Sequence, residues 1–291
     1  MTLDTAPGRL AAAAAVLATI AAGVGLFVDG FYRDVPFWAQ QARATDVATL
    51  FLGVPILLAG LWAARRGSSI GQSAVLAGLL YLVYNYAIYS FSVAVNPLLA
   101  VYIATLALAV WSIALALHSG AIARSVGNHL PRRTTAGVLA GVAAVFGLLW
   151  LSQIASAALT GVVPVDIERA ALPTNPIYAL DLALFLPLCV VAAVGMYRRA
   201  PAAAAFALPM LIWLFLTSVG VVGAFVFAAA AGDAFAVVPG VLVSAIGVLT
   251  GGLAVLGTVR GSRERSPHPP ADARTLARWN AARANPKQAG Q

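Results

Sequence analysis

The chain is 291 residues long, 61% hydrophobic and only 10% charged, with a mean hydropathy of +0.89. Soluble domains carry roughly a quarter of their residues as charges, so this composition excludes a soluble fold and marks an all-α, polytopic integral membrane helix bundle. The net charge of +8 reads as membrane topology and not as a nucleic-acid footprint, and continuous rather than alternating apolar runs exclude a β-barrel.

The first apolar segment, about 10–28, follows Arg9 and stops at Asp29 and Gly30. A single Arg ahead of it and a run long for a signal peptide favour a retained helix, although the small residues AAGVG would suit cleavage. The polar stretch FYRDVPFWAQQARATD leads into a second span, about 46–64, closed by Arg65 and Arg66. From Ile70 to Leu117 the chain stays apolar long enough to cross twice. Asn96 and Pro97 supply the break, because Asn caps helices and Pro suits their first turn, and they predict spans at about 70–93 and 97–117.

A basic loop with His118, Arg124, His129, Arg132 and Arg133 precedes the fifth span, about 135–159. The loop GVVPVDIERAALPTNP ends in a second Asn-Pro pair, Asn175 and Pro176, which opens the sixth, about 176–197. The seventh and eighth, about 203–229 and 234–259, are joined by a tight turn at Gly232 and Asp233. The tail, 260–291, is basic and reads as disordered or as a short surface helix with Leu276 and Trp279 on one face, held near anionic lipid or a partner.

Eight spans place fifteen of the 18 basic residues on the side of both termini and leave only Arg33, Arg43 and Arg169 opposite. The positive-inside rule then predicts cytoplasmic N- and C-termini in the cell membrane. The acidic residues run the other way, with Asp29, Asp34, Asp46, Asp166, Glu168, Asp181 and Asp233 on the outer side.

Two of these carboxylates stand out. Asp181 follows Asn175 by six residues, about 9 Å down an apolar helix, where a carboxylate needs a partner or a water-filled cavity. Asp46 opens the second span from the same side, where a cap or first-turn role competes with a functional one. The third span carries Tyr81, Asn85 and Tyr89 on one face, with Tyr81 about 12 Å deeper than Tyr89 and so too deep for an interfacial belt. Interhelical hydrogen bonding is the plainer use of such groups. Gln153 lies in the outer half of the fifth span. Together Asp46, Tyr81, Asn85, Tyr89, Gln153 and Asp181 form the candidate ligand-binding set.

Gly137 and Gly141, and Gly240, Ser244, Gly247 and Gly251, are small-residue patterns that suit helix packing. Pro55, Pro187, Pro209 and Pro239 are candidate kinks. The segments DVATLFLGVP, YxxYNY followed by NPLxxxY, and TNPxYxLDLA resemble a group of bacterial multi-pass membrane proteins, a resemblance that spans the second to sixth helices, about half the chain. That resemblance implies a recurring motif set and brings no activity with it. Arginine in large excess over lysine also suits a GC-rich bacterial genome.

Phosphate-loop and HExxH motifs are absent, no lysine falls within a span, and His118, His129 and His268 all lie outside the spans. The lone Cys189 excludes an intrachain disulfide. No cofactor and no metal are expected. The leading expectation is a transporter-like or small-ligand-binding protein with a polar site open to the outer side, taking a small polar solute or cation. An accessory or scaffold subunit with a membrane-protein partner is the alternative. A membrane enzyme using Asp46 and Asp181 as acid and base on lipid or an envelope precursor is the third.

Overall fold

A computed structural model of the chain describes residues 1–2, 4–120, 129–230, 232 and 237–263. Eight of its helices are long and apolar enough to cross a membrane: α1 Ala6–Phe27, α2 Pro36–Arg65, α3 Ser69–Ser92, α4 Leu99–His118, α5 Arg132–Thr160, α6 Pro176–Arg198, α7 Pro201–Ala230 and α8 Val237–Arg263. Among the described residues there is no strand. The predicted turn residue Asp233, the start of the eighth span at Ala234, Arg124 and the basic tail from 264 onward lie outside the described residues.

The helix ends follow local chemistry. The Thr5 hydroxyl accepts from Gly8 N and caps α1, Ser68 does the same for α3 through Gly71 N, and Asn175 Oδ1 accepts from Ile177 N at 2.8 Å ahead of Pro176. Gly161, at φ 72°, closes α5 in the left-handed conformation that glycine adopts freely. Asn96 acts as predicted on Leu98 N at 2.9 Å, but the helix proper starts at Leu99, so Pro97 belongs to the turn. The larger difference is α2, which begins at Pro36, ten residues before the predicted start. The polar stretch folds as helix because Trp38, Ala42 and Ala44 bury against α3 and α7, and the Trp38 indole donates to Ser92 O at 2.9 Å. Tertiary packing outweighs a low local hydrophobicity here.

The eight helices form two sets of four. In the first, α1 packs chiefly on α4, α2 on α3, and α3 on α4; in the second, α5 packs on α6, α6 on α7, and α7 on α8. The sets meet where α7 lies against α2 and α3, while α5 and α8 touch each other only slightly. Helix α3 is the most buried of the eight. At the end of the bundle where α1 begins and α8 ends, Arg132 donates to the carbonyls of Met196 and Tyr197 at 2.9 to 3.1 Å, filling acceptors left open where α6 ends. The opposite end, carrying the connections 28–35, 93–98 and 161–175, is called distal below.

Two of the four prolines sit in mid-helix, and each follows a π-helical turn: Thr49–Gly53 before Pro55, and Asp181–Phe185 before Pro187. In each case the residue before proline donates five positions back, Val54 N to Thr49 O and Leu186 N to Asp181 O. The widened turn moves a carbonyl away from the proline ring, which would otherwise strike it. Pro239 lies in the first turn of α8, and Pro209 in the first turn after a break in α7 at 205–206, where the helix restarts at Ala207, and there proline costs little. On α8 the small residues pack as expected, with Gly247 against Ser218 and Gly251 against Phe215. On α5 they do not, because nothing lies within 4 Å of where a Cβ at Gly137 or Gly141 would be.

Candidate functional site

The two carboxylates singled out in the sequence are both buried, and each starts from a comparable place. Asp46 lies three residues before the π turn of α2, and Asp181 opens that of α6. Their surroundings differ.

Asp46 has no exposed surface. Its Oδ2 accepts from the Tyr32 hydroxyl at 2.6 Å, and its Oδ1 lies 2.9 Å from the Tyr89 hydroxyl, whose proton is shared with Ala42 O at 2.8 Å. Tyr32 belongs to the distal connection after α1, outside the membrane-spanning segments. Burial, and then the adjacent Asp46 carboxylate, drive its phenol far above the ordinary tyrosine range, so it remains a proton donor. Arg43, one turn before Asp46, turns to Leu26 O at 3.4 Å. Beneath, the Tyr81 hydroxyl meets Thr49 Oγ1 at 3.1 Å. The rings of Tyr86, Tyr89 and Tyr102 close the centre with centroids 5.2 to 6.0 Å apart. On the α1 side it is Gly25 that admits the carboxylate, since a Cβ there would fall on Asp46 Oδ2 and the Tyr32 hydroxyl. This is a sealed cage.

Asp181 stands at an open space. Trp150 Nε1 on α5 donates to its Oδ2 at 2.8 Å, and Tyr84 on α3 shares the wall of the space with it. Trp150 stacks on Tyr178, with centroids 4.7 Å apart. The Tyr178 hydroxyl donates to Asp166 Oδ2 at 2.9 Å, and Asn175 Nδ2 reaches the same oxygen at 2.7 Å. On the other side Tyr84 meets the edges of Phe185 and Trp213, which stack on each other at 4.5 Å. Asp181, Trp150, Tyr84 and Trp213 form part of the wall of a cavity of about 370 Å³ bounded by α2, α3, α5, α6, α7 and α8, at the junction of the two four-helix sets.

Of the predicted set, Asp181, Tyr81, Asn85 and Tyr89 line this cavity, and Asp46 and Gln153 do not. Asp46 is shut behind Tyr89, and Gln153 sits half-buried on α5 away from the space. Asn85 spends its amide on Tyr81 O, one turn back on its own helix, at 2.9 Å. Sequence reasoning missed Tyr32, Trp150, Tyr178, Trp213 and Thr217. Tyr178 carried a signal, being the aromatic within TNPxYxLDLA. Trp150, Trp213 and Thr217 are single residues in uniformly apolar runs, where no periodicity marks the inward face.

Trp213 and Thr217, one turn apart on α7, both line the cavity, and neither Trp213 Nε1 nor Thr217 Oγ1 has a hydrogen-bond partner. Among the described residues no group of three His, Cys, Asp or Glu side chains is placed to hold a metal ion. The chemistry on offer is therefore recognition by a carboxylate, a free indole N–H, a hydroxyl and aromatic faces. No family model matches the chain, and neither a curated protein nor a solved structure matches it.

Proposed function

We propose that the chain is a transporter-like or small-ligand-binding membrane protein whose site is the cavity beside Asp181, open toward the distal side. One observation carries this reading: a cavity in the range of ligand pockets lies between two four-helix sets, with a buried carboxylate and unpartnered hydrogen-bonding groups on its wall. The π turn at Asp181 supports it, because such turns recur at functional sites. The fifteen-to-three distribution of basic residues supports cytoplasmic termini, and hence a distal side facing out of the cell. Asp46 serves in this reading as an internal tie between α1, α2 and α3. The reading of Asp46 and Asp181 as an acid and base acting on one substrate has less support, since only Asp181 borders the cavity.

The test is thermal unfolding of the purified full-length protein against a panel of cations and small polar or amphiphilic solutes, beside Asp181→Asn. A ligand present at about 100 times its Kd stabilises by ~2.7 kcal/mol, a shift of several degrees. Such a shift in the wild type and its loss in the variant is the expected result. A panel with no effect on either protein would reject the proposal.

A further inference from the structure

We infer that the guest of this cavity is a hydrophobic organic cation, which enters sideways from the bilayer between α5 and α8. The inference rests on the cavity being a ligand site and goes further in naming the ligand's class and route.

The charge follows from the composition of the wall. Among the described residues that line the cavity there is no Arg, Lys or His, while Asp181 and Asp166 both border it. Among the described residues the donors to the Asp181 and Asp166 carboxylates are neutral: the Trp150 indole to the first, the Tyr178 hydroxyl and the Asn175 amide to the second. Neutral donors orient a carboxylate without cancelling its charge, so the space favours a cation and disfavours an anion. Trp150, Trp213 and Tyr84 add aromatic faces, whose quadrupoles attract a desolvated organic cation. Small inorganic ions suit the site poorly, because most of the remaining wall is aliphatic and offers few oxygens to replace a hydration shell.

The unsatisfied groups indicate a site made for a guest. Trp213 is 2% exposed, and its N–H, like the Thr217 hydroxyl, is left without a partner at the cavity wall, an arrangement that costs free energy unless something fills it.

The route follows from the rim. Leu149 on α5 and Leu242 on α8 line the cavity and are also 41% and 53% exposed, so the space reaches the bundle surface between them. Contact between these helices is slight; Leu130, just ahead of α5, meets Gly257 at the terminal end, and farther along both helices present leucine and valine outward. A seam with apolar lips admits a molecule dissolved in lipid more readily than a hydrated one.

The experiment is binding of tetraphenylphosphonium to the full-length protein in nanodiscs of zwitterionic lipid, with protein-free discs subtracted and tetraphenylborate, an anion of nearly the same shape, as comparison. Saturable binding of the cation at one site per chain, with none of the anion, is expected. Asp181→Asn should weaken it by about tenfold or more, since a charged partner in a desolvated site contributes more than a neutral one. Asp29→Asn, which removes the same charge from the exposed distal connection, should leave it unchanged. The comparison of the two ions uses the wild type and stands even where a variant fails to fold. Equal or tighter binding of the anion, or unchanged affinity in a folded Asp181→Asn, would overturn the cation while leaving the cavity a ligand site. Saturable binding of neither ion, together with a silent thermal panel, would remove both proposals and leave a space filled by lipid tails.

Discussion

Gly25 illustrates how much of the Asp46 centre rests on one absent atom. A methyl group there would collide with a carboxylate oxygen and a phenol that are already committed to each other. Gly25→Ala should therefore lower stability by ~1–3 kcal/mol, as overpacked sites do. Gly23→Ala, two residues earlier on the same helix with nothing within 4 Å, should be neutral or gain up to ~1 kcal/mol from helix propensity. Unfolding midpoints of the two proteins measure the contrast, and equal midpoints would mean that the cage yields at no cost. At the same scale, Tyr89→Phe takes one donor from a carboxylate with no exposed surface, and a loss of ~1–3 kcal/mol is expected from the acceptor left short of a partner.

At the scale of the helix, the two π turns mean that α2 and α6 each hold one residue more than a regular helix between the same neighbours. In α6 the extra residue and Pro187 belong together, because the wide turn keeps the ring clear of the carbonyl four positions back. Deleting the exposed Ala183 should cost ~3 kcal/mol more with Pro187 present than in the Pro187→Ala background. Unfolding of the four proteins in this cycle gives the coupling directly; strict additivity would show that proline and bulge are unrelated. Prolines at 55 and 187 were legible as candidate kinks, but the form of the distortion was not. Residue types signal that a helix is disturbed, whereas the choice between bend and bulge depends on what the flanking turns are docked against. The start of α2 was hidden for a related reason. Its first ten residues are polar by composition and helical because Trp38 and two alanines find a buried face on other helices. Asp181 could be found from sequence because a carboxylate deep in an apolar run is improbable by itself, while its partner Trp150 is an ordinary residue in an ordinary span.

For the molecule as a whole, the eight spans were legible because hydrocarbon thickness dictates their length, and the pairing of helices was not, since apolar faces look alike in one dimension. Orientation is open to direct measurement. Cys189 is fully buried, so a new cysteine reports without background. Asp29→Cys should react with a membrane-impermeant maleimide in intact cells, and Ser119→Cys only after the membrane is opened; the reverse pattern would invert the bundle. The pairing of α1 with α4 also bears on synthesis. Ser112 Oγ donates to Pro7 O across 105 residues of chain, at 2.7 Å. Helix α1 leaves the ribosome ahead of α4 and thus waits for it before its main neighbour exists, so a chain interrupted after α3 leaves α1 without the surface it was built to meet, and α1 to α4 become a unit only when the last of them arrives.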